Sequence, residues 1–139
     1  MKKNIIIILS FLLLSLLTSC AGTGTKLKPT VSINSSGTSN LYFVRSSGFV
    51  AGGILSKIEV NGQEIAKLGV KEYAKHQTSS NFKIKISGSG ISGMTMGNDT
   101  ASGVADGKNY FYIISVKQGL FSAKFIVQET TETGYNQAL

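Results

Sequence analysis

The chain has 139 residues, of which 42% are hydrophobic, with 16 glycines, one proline, one cysteine and no tryptophan. Its formal net charge is +7, from 14 basic and 7 acidic residues. The length suits one domain. The single cysteine excludes an intramolecular disulfide, and the lack of a basic run beyond position 3 argues against a nucleic-acid partner.

The first 19 residues have the organisation of an export signal. Met1–Asn4 carry two lysines, and residues 5–17 form an apolar run that only Ser10 and Ser15 interrupt. A transmembrane helix needs roughly 20 apolar residues. The run is shorter than that and is followed by small residues, so it predicts a processed signal rather than a stable span.

The only cysteine directly follows this run, in Leu17-Thr18-Ser19-Cys20. This stretch resembles the lipobox of bacterial lipoproteins. The resemblance implies cleavage before Cys20, a diacylglyceryl group on its sulfur and an acyl chain, such as palmitate, on the new amine. Two or three acyl chains would anchor the protein durably. The alternative is a plain secretory signal with an incidental cysteine.

The same resemblance predicts the location of the mature chain. Ala21 stands where an aspartate would retain an enteric lipoprotein at the inner membrane, so we expect an outer-membrane anchor facing the periplasm. Without Lys2 and Lys3, 12 of the 14 basic residues remain against 7 acidic ones, a net charge of +5. This favours lipid headgroups or cell-wall polymers over nucleic acid as a polyanionic partner. Ordinary solubility charge is the alternative.

Composition divides the mature chain into three parts. Residues 20–40 are rich in Gly, Ser and Thr and predict a lipidated flexible tether with a reach of about 25 Å. Val31 and Ile33 alternate and leave a short edge strand open as an alternative. Residues 41–130 predict one folded domain, and residues 131–139 a frayed polar tail.

Short apolar patterns separated by turns predict an all-β domain. Asn61-Gly62 between alternating runs is a strong hairpin signal, because a type I′ turn needs positive φ at both positions. No stretch of ten or more residues after Cys20 has a 3.6-residue apolar period. We therefore expect an antiparallel β-sandwich, immunoglobulin-like or similar, or a small barrel, with six to eight strands. The expected strands are Leu41–Arg45, Ile58–Val60, Glu64–Leu68, Phe82–Ile86, Tyr110–Val116, Ser122–Thr130 and one or two bulged strands within residues 88–107. Residues 69–80 predict a polar connection, and Phe49 and Val50 a loop tip.

Several of these elements occur together in one family. Leu41-Tyr42-Phe43-Val44-Arg45, the Gly-rich residues 48–53, Val60-Asn61-Gly62-Gln63-Glu64 and Gly107-Lys108-Asn109-Tyr110-Phe111-Tyr112 follow in that order. This arrangement resembles small bacterial envelope lipoproteins with the domain of unknown function 2846. The resemblance spans residues 41–129. It implies a β-sandwich at the envelope and no established activity.

Catalytic and cofactor motifs find little support. Residues 88–93 fit G-x-G-x-x-G, but no helix-forming segment or βαβ unit follows, so we predict no nucleotide site. His76 is the only histidine and lacks partners for a transition metal. We therefore expect no catalytic residues, no metal and no cofactor.

Two binding functions follow from what remains. The leading prediction is a non-enzymatic structural or protein-binding envelope lipoprotein, held at the membrane through Cys20. The alternative is a module that binds cell-wall glycan or another anionic polymer through Arg45, Tyr42, Lys83 and Lys85, with exposed tyrosines as stacking platforms. For Arg45, a structural role is the competing interpretation. A hydrolase is a distant third.

Overall fold

The computed structural model describes residues 22–34, 37–48 and 53–139. The predicted signal (residues 1–19), Cys20 and the predicted loop tip at Phe49 and Val50 lie outside this range. The described part contains eight strands and two short helices. They are β1 (Ser39–Arg45), β2 (Ser56–Val60), β3 (Gln63–Leu68), β4 (Tyr73–Thr78), β5 (Phe82–Gly88), α1 (Ile91–Met94), β6 (Asp99–Gly103), β7 (Asn109–Gln118), β8 (Ala123–Thr130) and α2 (Glu132–Gln137).

The strands form two four-stranded sheets that pack face to face. The first sheet has the order β4-β1-β7-β8 and the second the order β3-β2-β5-β6. The predicted all-β sandwich is confirmed. Five of the six pairings are antiparallel, whereas β1 and β7 run parallel, with Asn40 opposite Asn109 and Arg45 opposite Ile114. The parallel pair at the centre of the first sheet is the one departure from the antiparallel arrangement that the sequence predicts for these strands.

The main core lies between the sheets. Strands alternate their side chains between two faces, and Leu41, Phe43, Ile58, Ile84 and Ile114 are fully buried on the inner ones. The Phe43 and Tyr112 rings stack across β1 and β7 at a centroid distance of 5.5 Å. β1 and β7 are the central strands of the first sheet, and the lysines that alternate with the β5 isoleucines point to solvent.

A second apolar cluster covers the outer face of the first sheet. Tyr42, Val44, Tyr73 and Phe111 project there from the strands, and Tyr135 of α2 packs on them with no exposed surface. The Thr131 hydroxyl caps α2 by accepting a hydrogen bond from Gly134 N at 3.1 Å. The prediction of a frayed tail at residues 131–139 is therefore wrong, because Tyr135 is buried against the aromatic side chains of the first sheet.

The chain before β1 also packs on the domain. Thr25 and Tyr73 form an antiparallel bridge, and the amides of Thr23 and Gly24 both donate to Lys67 O, at 2.9 and 3.1 Å. Val31 packs against the second cluster. Residues 22–34 therefore belong to the domain rather than to the predicted flexible tether, and the alternative strand at Val31 and Ile33 does not form.

Local turn chemistry gives the expected hairpin but not every element. Asn61 and Gly62 have φ of 52° and 82°, the type I′ pattern, and Val60 pairs with Gln63. The predicted polar connection at residues 69–80 instead contains β4, which pairs with β1. Residues 88–107 hold β6, as expected, and a single helical turn, α1. No helix in the described residues is long and apolar enough to cross a bilayer.

Candidate functional site

Tyr42 does not form a surface platform. Its ring has no exposed area, stacks on Phe111 at 5.1 Å and lies beneath the N-terminal segment, where Ser32 N donates to Tyr42 Oη at 3.0 Å. Burial alone would raise the pKa of Tyr42, but hydrogen bonding to Ser32 and the charge of Lys75 outweigh it and bring that pKa below its ordinary value. Tyr42 is therefore a structural residue.

Arg45 is buried as well. Its side chain is 2% exposed, and Nη1 donates to Ile54 O and to Leu68 O, the latter at 3.1 Å. The guanidinium carbon lies 5.6 Å from the Phe125 ring centroid. Burial lowers the pKa of Arg45, and Glu72 partly offsets this. These contacts join the two sheets at one end, which is the structural role that the sequence left open.

Lys83 and Lys85 lie on the opposite side of the molecule from Tyr42. Because Ile84 and Ile86 fill the core, both lysines project from the outer face of the second sheet. The proposed four-residue site of Arg45, Tyr42, Lys83 and Lys85 is thus not assembled. The expectation of exposed tyrosines is also wrong, since four of the five are buried and Tyr110 is partly buried.

The outer face of the second sheet nevertheless carries a charged surface. Strand register adds two lysines and two glutamates to Lys83 and Lys85, for a net charge of +2, and we call this set the lysine face. Its added members are Lys57, Glu59, Glu64 and Lys67.

Ion pairs neutralise part of the lysine face. Glu59 lies 3.3 Å from Lys57 Nζ and 3.8 Å from Lys85 Nζ, and Glu64 lies 3.3 Å from Lys67 Nζ. No ion pair to Lys83 is found among the described residues. Such half-exposed pairs contribute little to stability, so the lysines stay available to an anionic ligand. Lys57 and Lys67 were not predicted as members of this surface, although both alternate with buried residues along β2 and β3.

The glycine-rich motif serves backbone packing. A Cβ on Gly88 would lie 2.5 Å from the Gly93 backbone, and one on Gly93 would meet Gly88 equally closely. The helix that follows is a single turn, so residues 88–93 bring two backbone segments together. This contact explains the glycines without a nucleotide.

The residues that could do acid–base or metal chemistry lie apart. No group of three or more His, Cys, Asp or Glu side chains comes together within residues 22–34, 37–48 and 53–139. His76 is half-buried on β4 opposite Leu41, and burial lowers its pKa.

No protein-family model, curated protein or solved structure matches this chain.

The sheet edges differ in how they are protected. Other segments bond to three of the four outer edges: Thr25 to β4, Thr23 and Gly24 to β3, and Gly97 to β8. Each of these strands also carries a lysine. In β6, the first residue, Asp99, pairs with Lys124 and accepts a hydrogen bond from Val127 N, both of β8. The following residues, Thr100–Gly103, carry no charge and have strand pairing only with β5 among the described strands.

Exposed apolar side chains form a further feature that the sequence did not predict. Ile91 and Met94 in α1 are 88% and 81% exposed, and Leu120 and Phe121 in the β7–β8 turn are 89% and 96% exposed. Two large apolar residues next to each other in a hairpin turn are the signal that could have drawn attention to this loop.

Proposed function

We propose that this protein is a lipid-anchored, non-catalytic module of the bacterial envelope that binds a protein partner through residues 100–103 at the edge of β6. Cys20 carries the lipid, and the lipobox-like sequence supports this. The resemblance to lipoproteins with the domain of unknown function 2846 points the same way and stays a prediction, as does the outer-membrane location facing the periplasm.

The observation that carries the binding proposal is the contrast between β6 and the other three edges. An unpaired strand edge presents free N–H and C=O groups, and proteins commonly protect such edges with charges or covering segments. Asp99 ties the start of β6 to β8, whereas residues 100–103 beyond it have neither a charged side chain nor a pairing segment on that edge among the described strands. A partner that adds one strand here would extend the second sheet by main-chain hydrogen bonding.

Site-specific photo-crosslinking in cells tests this function. A crosslinking side chain at position 102 should give one defined protein adduct, whereas one at position 128, an exposed site on β8, should not. Thr100→Lys with Ser102→Lys gives β6 the charges that the other edges have, and should reduce the adduct at least about tenfold without changing the circular dichroism spectrum. Equal adducts at positions 102 and 128, or an adduct insensitive to the added lysines, would contradict partner binding at β6.

The lysine face supports a second candidate function, binding of an anionic cell-wall polymer. Four lysines against two glutamates give a surface that would hold a polyanion in a salt-dependent way. Lys83→Gln with Lys85→Gln should lower retention on purified cell wall roughly tenfold at low salt. Lys108→Gln is the control and should leave retention unchanged, because Lys108 lies in the turn before β7 and outside the lysine face. Unchanged retention of the double variant would remove this candidate.

A further inference from the structure

Half of the large apolar side chains that are exposed in the described residues lie in two short segments. Ile91 and Met94 belong to α1, and Leu120 and Phe121 to the β7–β8 turn, which Gly119 N closes by donating to Ser122 O at 2.7 Å. Monomeric proteins seldom leave neighbouring large apolar groups in water without a function.

The contacts place both segments at the same end of the sandwich. Gly97 bridges Lys124 in parallel, with Gly97 N donating to Ala123 O and Phe125 N to Gly97 O, both at 2.9 Å. This bridge joins the residues just after α1 to the start of β8, which directly follows the β7–β8 turn. The four apolar side chains therefore lie at the same end of the molecule.

The described chain begins at this same end. Ser56 pairs with both Gly88 and Leu68, so the segment before α1 and the end of β3 are level with each other. Thr23 and Gly24 bond to Lys67 O at that level. We call this end, formed by residues 22–24, 68–72, 89–97 and 117–122, the entry end.

Chain length then limits how far the entry end can lie from the lipid. Gly22 follows Cys20 by two residues, and two extended residues span at most about 7 Å. A lipid on Cys20 therefore holds Gly22, which belongs to the entry end, within about 7 Å of the depth at which the cysteine sits. The predicted reach of about 25 Å required a flexible segment that instead packs on the domain.

Basic side chains also lie at the entry end. Lys71 and Lys117 are exposed, and the Lys26 side chain is 67% exposed, although it also pairs with Glu72 at 3.4 Å. Lysines beside apolar groups suit the interface of a bilayer with anionic headgroups.

We propose that the entry end lies on the bilayer, with Ile91, Met94, Leu120 and Phe121 inserted into the interface beside the acyl chains on Cys20. This inference rests on the proposed lipid anchor. The strands then stand along the membrane normal, and the far end, with the turns at residues 61–62, 79–81 and 104–108, points away from it. The protein thus has a fixed orientation on the membrane and does not rotate freely on a flexible tether.

Fluorescence of single labels in the lipidated full chain tests the orientation. The lipid occupies the Cys20 sulfur, so Phe121→Cys or Met94→Cys introduces the only reactive thiol for a polarity-sensitive dye. Ser79→Cys, at the far end, is the matched control. The protein is reconstituted in vesicles of phosphatidylcholine with phosphatidylglycerol, and its intact mass is measured from the same sample.

We expect a label at position 121 or 94 to emit at shorter wavelength than one at position 79, with about threefold more quenching by lipids that carry a nitroxide. Equal, water-like emission at all three positions, with lipid present by mass, would overturn the orientation and leave the anchor intact. A wavelength shift without quenching by lipid would also overturn it, in favour of contact with a second protein or a second copy of this chain. A mass without lipid on Cys20 would overturn both proposals.

Discussion

Thr25 and Tyr73 form a reciprocal bridge, in which Thr25 N donates to Tyr73 O at 3.0 Å and Tyr73 N donates to Thr25 O at 2.8 Å. This contact holds the N-terminal segment against the edge of the first sheet. It also shortens the chain between the domain and Cys20, on which the proposed orientation depends.

Gly24→Ala should weaken this attachment. A Cβ at position 24 would lie 2.5 Å from Leu68 Cδ2 and 2.8 Å from Glu72 Oε2, so the segment has to shift. We expect a loss of about 1–3 kcal/mol in the free energy of unfolding, measured with urea, and faster hydrogen exchange at Thr25 N. Gly48→Ala, where no atom lies within 4 Å of the added Cβ, is the control and should change stability by less than about 0.5 kcal/mol. Equal effects of the two substitutions would show that residues 22–25 do not pack as described.

Arg45→Lys should destabilise the fold rather than affect a ligand. Lysine cannot reproduce the planar guanidinium that bonds to Leu68 O and lies over Phe125. We expect a loss of about 2–3 kcal/mol by chemical denaturation, because a buried carbonyl loses its donor. Retention on purified cell wall should stay at the wild-type level. A stable variant with lower retention would restore Arg45 as a binding residue.

Substitutions of Tyr135 distinguish the contribution of its ring packing from that of its hydroxyl group. Its ring contacts those of Tyr73 and Phe111 at centroid distances of 5.7 and 5.4 Å, and Tyr135 Oη has no partner among the described residues. Tyr135→Ala should cost about 3–5 kcal/mol, whereas Tyr135→Phe should be neutral or stabilising. Similar losses for both substitutions would mean that the hydroxyl has a partner.

The same residue predicts a pH dependence. Burial, chiefly, raises the pKa of Tyr135 above its ordinary value. The stability it contributes is therefore fully present below about pH 10, the pKa of an unfolded tyrosine, and declines as the pH rises further. Unfolding midpoints measured from pH 9 to 11 should fall less steeply in Tyr135→Phe than in the wild type, because the variant lacks the buried phenol whose ionisation favours the unfolded state.

Asp99 connects β6 to β8 and predicts an acid-sensitive contact. Burial alone would raise the pKa of Asp99, but hydrogen bonds from Val127 N and Lys124 Nζ outweigh it and lower that pKa. This stability is present above about pH 4 and is lost as the pH falls through the lowered pKa. Asp99→Asn should cost about 1–2 kcal/mol at pH 7 and less at pH 3 in urea unfolding. A cost that stays the same at both pH values would contradict a charged Asp99.

The sequence predicted the elements that local chemistry determines. Asn61 and Gly62 fix their hairpin because the turn itself requires positive φ. The alternation in β5 reveals its buried face, and the apolar β7 reveals a central strand. Each of these signals lies within about ten residues of chain.

The elements that it missed depend on distant partners. β4 is polar and forms because β1 and Thr25 bond to it. α2 has only Tyr135 as an anchor, and the groove for that ring comes from three strands. The parallel pairing of β1 with β7 leaves no local trace either. For the same reason the four predicted binding residues do not lie together. The alternation of apolar and polar residues indicates which side of its own strand Tyr42 or Lys83 occupies, but not which strand faces belong to the same surface of the molecule.

Lipid anchoring at Cys20 can be measured as the intact mass of the protein purified from bacterial membranes. We expect a chain of residues 20–139 whose mass exceeds that of the polypeptide by a diacylglyceryl group and an acyl chain, with Cys20→Ala unprocessed and without lipid. A wild-type chain that retains residues 1–19, or begins elsewhere without added lipid, would contradict it.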